Sequence, residues 1–231
     1  MSGQTLTIFG ADGATGLHLV DQALARGHSV RASVVAETEA LRPRAGLEVI
    51  VADVLSDDLA LAIGEADAVV SALGVENDPM TLLDPPPLYI EGTRAILHGM
   101  EKQGCDRLVV VSASFVATAD RGPLAFRATV IPALTNVLAQ MEEMEGLLRA
   151  SALRWTAVRP GWLMEGEATG NYRVQADVIP EDLIRTRHAD LAHFMLDCLE
   201  SDEWVHRTPA IAREEDEEAT SMGAVIEAIV G

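Results

Sequence analysis

The sequence contains little cysteine. Its two cysteines, Cys105 and Cys198, lie far apart and belong to no paired motif. We therefore expect no disulfide framework, and we expect both thiols to be reduced, as is usual in the cytoplasm. No metal site is expected either, because the Cys, His and Asp residues form no cluster with ligand spacing.

Basic residues are also scarce. The 17 Lys and Arg residues face 36 Asp and Glu residues, which gives a formal net charge of −19. An acidic surface of this size repels nucleic acid and anionic lipid, so neither is an expected partner. An anionic cofactor would have to be bound locally, by backbone N–H groups and a few arginines.

Long hydrophobic runs are missing as well. No apolar stretch approaches the roughly 20 residues that a membrane-spanning helix needs. The first residues, Met1 to Gln4, lack the basic start and apolar core of a signal peptide. These features predict a cytoplasmic protein with no membrane partner.

What the sequence does contain is an alternation of apolar, β-rich runs with helical patterns. Runs this apolar are typical of parallel strands that helices cover on both faces, and their spacing fits right-handed βαβ units. We predict a doubly wound, Rossmann-like α/β fold that forms a single domain over residues 1–231. Strands are predicted at 6–9, 29–35, 47–51, 68–73, 108–111 and 155–158, and a helix at 88–102.

Two segments, residues 76–87 and 115–135, interrupt this alternation. Each follows the carboxyl end of a predicted strand, the edge at which open α/β sheets bind ligands. We interpret both as loops that contact a small-molecule substrate; the alternative is that they are plain connections. Phe115, Phe126 and Trp162 are the expected apolar surfaces of the pocket.

A glycine loop stands between the first predicted strand and the first helix. Gly10 permits a tight turn, Gly13 lets backbone approach a pyrophosphate, and Gly16 allows close packing of helix on sheet. The free N–H groups and the dipole of the helix start favour phosphate. The loop therefore predicts a nicotinamide dinucleotide site, with a merely tight turn as the alternative. Its other predicted cofactor contacts are Asp12, Ala14 and Thr15.

Two further strand ends supply candidate cofactor contacts. Asp53, followed by Val54, closes the third strand and is placed to accept a hydrogen bond from the adenine amine. Ala72, Leu73 and Gly74 end the fourth strand with residues that leave space for a ribose. Simple strand capping is the alternative for both groups.

These motifs resemble a known family. The GxxGxxG spacing, Ala-Asp-Val at 52–54 and Ala-Leu-Gly at 72–74 are similar to the atypical short-chain dehydrogenases with an NmrA-like NAD(P)-binding domain. Its flavin reductase / biliverdin-IXβ reductase branch is the most similar, over residues 4 to about 200. The resemblance implies an NAD(P)H-dependent oxidoreductase that passes hydride to a flavin, quinone, tetrapyrrole or similar conjugated acceptor. The segments that carry the branch likeness are 7–11, 106–110, 159–161, 167–172 and 190–196.

The sequence departs from the wider family in its catalytic residues. The helix that should carry a Tyr-x-x-x-Lys pair reads NVLAQMEE at 136–143. The resembling branch also lacks this pair and depends on placing the acceptor over the nicotinamide, which can contribute roughly 7–11 kcal/mol at best. Trp162 stands where the branch often has histidine; an indole can stack on a flat ring but cannot relay a proton.

Candidate catalytic residues follow the fifth strand. Ser112 and Ser114 flank Ala113, the position at which the branch usually has serine. Ser112 is predicted to contact the cofactor and Ser114 the substrate, with strand-end capping as the alternative. Pro160 is predicted to line the nicotinamide pocket, and His188 is the candidate general acid by default.

The choice between NAD and NADP is left open by the sequence. NADP-preferring members of the family carry an arginine just beyond the second strand, where residues 33–37 read SVVAE. Asp12 would repel a 2′-phosphate by roughly 1–4 kcal/mol. Arg31, Arg42 and Arg44 are the arginines that could compensate. The resemblance thus favours NADP, whereas the local residues favour NAD.

Three functions fit these observations. The first is an NAD(P)H-dependent reductase of a conjugated small molecule. The others are a non-redox enzyme on the same scaffold, such as a cyclase or dehydratase, and a non-catalytic dinucleotide sensor. Nothing in the sequence indicates the oligomeric state.

Overall fold

The computed structural model describes residues 3–76, 78–119 and 124–215. Apart from a 3₁₀ turn at Ser114–Val116, its helices are α1 (Ala14–Ala25), α2 (Ala60–Ile63), α3 (Pro79–Leu83), α4 (Leu88–Gln103), α5 (Leu124–Ala133), α6 (Thr135–Ala150) and α7 (His188–Glu200). Its strands are β1 (Thr5–Phe9), β2 (Ser29–Val34), β3 (Leu47–Val51), β4 (Ala68–Ser71), β5 (Arg107–Val111), β6 (Arg154–Pro160), β7 (Trp162–Met164), β8 (Arg173–Ala176), β9 (Arg185–Arg187) and β10 (Pro209–Ala212).

Eight of these strands form one sheet, in the order β3-β2-β1-β4-β5-β6-β10-β8. All neighbours from β3 to β10 are parallel, and β8 pairs antiparallel with β10. The strand order reverses between β1 and β4, which is the switch point at which doubly wound sheets bind dinucleotides. The predicted Rossmann-like fold is confirmed. A separate parallel pair, β7 with β9, stands beside the carboxyl end of β6.

Helices cover both faces of the sheet because β1 alternates between them. Leu6 and Ile8 point to the face that α1 and α7 cover, where Leu191 joins the same apolar cluster. Phe9 points to the opposite face and packs in the cluster that includes Ile96 of α4. A strand buried on both sides has no solvent-facing polar side chain. The one polar residue between Leu6 and Phe9 is Thr7, which is fully buried and donates its hydroxyl to Ile63 O at 3.1 Å.

The end of α1 follows the expected glycine pattern. Gly27 has φ +84°, and its N–H donates to Leu24 O at 3.0 Å. This left-handed residue ends the helix and turns the chain into β2. Among the described residues, no helix is long and apolar enough to span a membrane.

Candidate cofactor and substrate site

The glycine loop has the geometry that the sequence predicts. Gly10 has φ +69°, and a Cβ there would lie 2.7 Å from Ala72 O. A Cβ at Gly16 would lie 2.0 Å from Gly10 O, so both positions require glycine for reasons internal to the fold. Gly13 is different, since a Cβ would meet nothing closer than Gly10 O at 3.4 Å. Its lack of a side chain leaves the approach to the helix start open.

The start of α1 is a suitable phosphate site. Gly13 is its N-cap residue, and no described side chain caps the first turn. The first intrahelical donor is Leu17 N, which bonds Gly13 O at 2.9 Å. The N–H groups ahead of it therefore lack intrahelical acceptors, and together with the helix dipole they favour an anion. Gly13 and Ala14 are both exposed, so a pyrophosphate can reach them.

A cavity of about 850 Å³ runs from this loop along the carboxyl edge of the sheet. Gly16 does not line it, because it is buried beneath the loop. The predicted cofactor residues that do line it are Gly10, Asp12, Gly13, Ala14, Thr15, Asp53, Val54, Ala72, Leu73, Gly74, Ser112 and Pro160.

The far end of the cavity is apolar. Both interrupting segments contribute to it, 76–87 through Leu82 and 115–135 through Phe115 and Leu134. The side chain of Phe126, also expected there, lies outside the described residues. The remaining apolar lining at this end is Val75, Leu88, Val137, Leu138, Met141, Trp162, Leu163 and Met164.

Charge in the cavity has one sign. The carboxylates of Asp12, Asp53 and Glu165 line it, and His188 is the one side chain among the described lining that could become cationic. No lysine or arginine is found among these lining residues. The anionic part of a dinucleotide would therefore be held by backbone donors.

The arginines considered for a 2′-phosphate are engaged or directed elsewhere. Arg31 bonds Glu48 at 2.5 Å and Ala62 O at 3.1 Å, and Arg44 pairs with Asp21. Arg42 is exposed and, like the other two, does not line the cavity. None of the three compensates for Asp12 in this structure.

Two uncharged side chains line the cavity here instead, Ser33 in β2 and Val35 just after it. Val35 lines it and is 67% exposed. Ser33 lines it with a buried hydroxyl that has no hydrogen-bond partner among the described residues. A buried unpaired hydroxyl is costly unless a ligand satisfies it, which makes Ser33 a candidate cofactor contact that the sequence does not reveal.

The structure corrects the predictions for the two serines. Ser114 is fully buried, does not line the cavity, and donates its hydroxyl to Arg159 O at 2.8 Å. The predicted substrate contact at Ser114 is therefore wrong, and the residue ties the end of β5 to β6. Ser112 does line the cavity, but its hydroxyl donates to Glu145 Oε1 at 2.8 Å. The hydroxyl hydrogen of Ser112 is therefore already engaged, and the predicted contact of Ser112 with the cofactor stays a prediction for its other atoms.

Glu145 is a buried carboxylate that sequence reasoning missed. It lies on α6 with a side chain of zero exposure and accepts from Arg159 Nε at 2.8 Å and Nη2 at 2.7 Å. Arg149, one turn further along α6, donates to Glu145 Oε2 at 2.6 Å. This network fixes α6 against the ends of β5 and β6, beneath the cavity wall. Only the i,i+4 spacing of Glu145 and Arg149 hinted at it.

His188 connects α7 to the glycine loop. Its Nδ1 lies 2.8 Å from Thr15 Oγ1, and its Nε2 lies 4.0 Å from Glu165 Oε1. Burial lowers the pKa of His188 despite the opposing effect of Glu165, so the ring is neutral near pH 7. A neutral imidazole held in this way positions Thr15, and the structure gives no support to a general acid here.

Asp190 does not pair with His188. Its carboxylate accepts from Thr169 N at 2.8 Å, Gly170 N at 3.0 Å and Arg213 Nη1 at 2.9 Å. Burial opposes ionisation, but these hydrogen bonds outweigh it and hold the pKa of Asp190 below its usual value. Asp190 therefore anchors the segment after β7 onto α7.

Tyr89 is a further cavity residue that the sequence did not reveal. It lies on α4, is 4% exposed, and its phenol oxygen accepts from Val75 N at 3.3 Å. Burial raises its pKa, so the phenol keeps its proton. Among the described residues nothing accepts that hydrogen, which leaves it for a ligand in the cavity.

Comparison with known proteins identifies the family of the chain. Residues 10–202 match the model of a family described as NAD(P)H-binding. An uncharacterised chloroplastic protein of Arabidopsis thaliana is 30% identical over 184 residues, which cover 77% of this chain and 64% of that protein. The chain thus spans about two thirds of the length of that relative.

Solved structures share the fold. The oxidoreductase ylbE of Lactococcus lactis superposes with a TM-score of 0.76 at 18% identity, covering 96% of this chain and 97% of that one. A proposed NADH-flavin reductase of Streptococcus pneumoniae has a TM-score of 0.71 at 24% identity, covering 92% and 100%. Because the family match covers residues 10–202, most of its length, the chain belongs to the NAD(P)H-binding family.

Proposed function

We propose that the protein is an NADH-dependent reductase of a small, uncharged, conjugated acceptor. One observation carries this proposal: a single cavity joins the glycine loop to an apolar chamber that includes Phe115 and Trp162. A dinucleotide and a flat acceptor can therefore lie end to end, with the nicotinamide where the two parts meet.

The chain's own residues bind and orient in this reaction. The N–H groups at the start of α1 hold the pyrophosphate, and Asp53 is placed for the adenine amine. The Asp53 carboxylate already accepts from Leu55 N at 2.8 Å and from Ser56 Oγ at 3.0 Å, which fixes its orientation. When bound, the reduced nicotinamide supplies a hydride, and a proton from solvent completes the two-electron reduction of the acceptor.

The preference for NADH follows from charge. A 2′-phosphate near the end of β2 would meet the carboxylate of Asp12 and the apolar side chain of Val35. The 2′-hydroxyl of NADH would instead carry no charge, and Ser33 offers it a buried hydroxyl partner. Since a phosphate loses both hydration and a favourable partner here, NADH is the better ligand.

The acceptor is selected by the apolar end of the cavity. Its walls are aliphatic and aromatic, and the cavity lining as a whole contains three carboxylates, those of Asp12, Asp53 and Glu165, against one basic side chain, that of His188. Flavin mononucleotide and tetrapyrroles carry phosphate or carboxylate groups, for which this lining offers no cationic partner. Quinones and riboflavin have no such charge, and Tyr89 can donate its hydroxyl hydrogen to one of their oxygens.

The test is NADH oxidation by the purified protein with menadione, riboflavin and flavin mononucleotide as acceptors. We expect turnover with the first two and a kcat/KM at least tenfold lower with flavin mononucleotide. Turnover with none of a broad acceptor panel would overturn the proposal. Conversion of a substrate without consumption of NADH would instead favour a non-redox enzyme.

Two variants link the activity to the site. Gly13→Val fits the fold, because a Cβ there makes only ordinary contact, but it blocks the approach to the α1 start; NADH binding should be lost. Gly146→Val, at an exposed position with open space, is the matched control and should bind normally. Tyr89→Phe should raise the KM for a quinone about fivefold without changing the Kd for NADH.

A further inference from the structure

A second cavity, of about 480 Å³, lies apart from the cofactor cavity and shares no lining residue with it. It is formed where the end of α6, β6, the end of β8 and the segment before β10 meet. Its polar lining consists of Arg149, Arg159, Asp177, His206, Arg207 and Thr208.

Positive charge is concentrated at this cavity. Three of its lining residues are arginines, in a chain with 17 basic and 36 acidic residues. Two carboxylates oppose them: Glu145, buried beneath Arg149 and Arg159, and Asp177, which accepts from the Thr208 hydroxyl. The three guanidinium groups exceed these two carboxylates, so a net positive charge remains within the cavity.

Arg207 carries a positive charge that no described residue neutralises. Its side chain is exposed and makes no hydrogen bond or ion pair among the described residues. Arg149 is half-exposed and spends only Nη2 on Glu145, so its remaining donors are free to bind a ligand. In so acidic a chain, the other described arginines are mostly paired with carboxylates, as Arg26 is with Asp197.

Hydrogen bonds and backbone conformation hold the wall of the second cavity in place. Arg159 is 6% exposed and donates Nη1 to Asp177 O at 2.7 Å, which fixes its guanidinium in the wall. Asp177 and His206 have φ values of +66° and +58°, and they are the non-glycine residues with positive φ in the described chain. Both line this cavity. Strained backbone of this kind concentrates at functional sites.

We propose that this second cavity binds a small oxyanion, phosphate or a phosphate monoester. Arg207 and Arg149 form charge-assisted hydrogen bonds to it from the open side, and Arg159 and Thr208 form part of the buried wall. His206 packs against Trp155, with ring centroids 5.9 Å apart, and both residues line the cavity.

The site communicates with the cofactor cavity through Glu145. Arg149 and Arg159 both donate to this carboxylate, and Ser112 of the cofactor cavity donates to its Oε1. An anion that draws Arg149 away leaves Glu145 with fewer donors and changes the support of Ser112. Phosphate should therefore alter the affinity for NADH, in keeping with reciprocal coupling between sites.

The test is calorimetric titration of the full chain with sodium phosphate and with glycerol phosphate, against sodium chloride at equal ionic strength. The titration with sodium chloride shows how much of the heat comes from the general effect of salt, which screens the charges of a protein with this net charge. We expect saturable binding of phosphate or of glycerol phosphate, and we expect the Kd to rise at least tenfold in Arg207→Gln. The matched control is Arg94→Gln, an exposed arginine on α4, which should bind as the unchanged protein does.

Equal responses to phosphate and chloride, or unchanged binding in Arg207→Gln, would overturn the oxyanion site. Binding that is tighter for glycerol phosphate than for phosphate would identify an ester as the occupant. If phosphate binds while the Kd for NADH stays constant, the site stands and its coupling through Glu145 is wrong. These outcomes do not depend on whether the protein reduces a quinone.

Discussion

The combined substitution Asp12→Asn and Val35→Arg is expected to move the cofactor preference from NADH towards NADPH. The first change removes a carboxylate from the cavity, and the second adds a cation just after β2. Val35 is 67% exposed, so an arginine there fits without disturbing the core.

The size of the effect follows from exposure. Asp12 is half-buried and Val35 is exposed, so the interactions with a 2′-phosphate occur in a nearly aqueous dielectric. At about 4 Å, each unit charge pair then contributes about 1 kcal/mol. Removing one repulsion and adding one attraction amounts to about 2 kcal/mol, or roughly a 30-fold change in the ratio of the two dissociation constants.

The assay is fluorescence titration of each variant with NADH and NADPH at low salt, repeated at about 1 M salt, where screening should reduce the shift. Leu61→Arg is the control, because Leu61 is 85% exposed on α2, outside the cavity, and the substitution adds the same charge. A protein that prefers NADPH before any change would refute the reasoning. So would a ratio that shifts equally in Leu61→Arg.

Three further outcomes are expected. Glu145→Gln should lower the free energy of unfolding by about 3–5 kcal/mol, because it leaves Arg159 buried without its charge partner. The control Glu143→Gln, at an exposed position, should change this free energy by less than about 0.5 kcal/mol, and denaturant titration measures both. Burial lowers the pKa of His188 in the folded state, so the unfolded chain binds the proton more readily and the free energy of unfolding decreases as pH falls below about 6.5, until the pH passes the lower folded-state pKa. His188→Asn should flatten this part of the plot of unfolding free energy against pH, and a plot parallel to that of the unchanged protein would contradict this. Burial raises the pKa of Cys198 to about 12, so its thiol should resist iodoacetamide at pH 8 until the chain unfolds, and rapid labelling of the native protein would be inconsistent with its position.

The sheet could be predicted where strands are buried on both faces. The predicted strand at 68–73 corresponds to β4 (Ala68–Ser71), and the predicted strand at 108–111 to β5 (Arg107–Val111). The strands β7 to β10 are not predicted, since each has only three or four residues, too few to show a periodic pattern. Their pairing depends on distant partners, such as β10 on β6, and local sequence does not contain that information.

The site was predictable where backbone alone makes it. Gly10 and Gly16 are required by close contacts with Ala72 O and Gly10 O, so their spacing signals the loop directly. Side-chain roles were less predictable because they depend on partners far along the chain. Ser112 and Ser114 were assigned to ligands, yet residues 145 and 159 accept their hydroxyl hydrogens.

The charge distribution explains why the cofactor site relies on backbone. With 36 acidic residues, arginines such as Arg31 and Arg44 are paired with carboxylates, and the described lining of the cofactor cavity contains no lysine or arginine. N–H groups and a helix dipole attract a pyrophosphate without adding charge that neighbouring acids could neutralise. Such a site should bind NADH with a weak dependence on salt. The second cavity recognises its oxyanion through guanidinium groups, so salt should weaken that binding much more steeply, and the contrast can be measured in one protein.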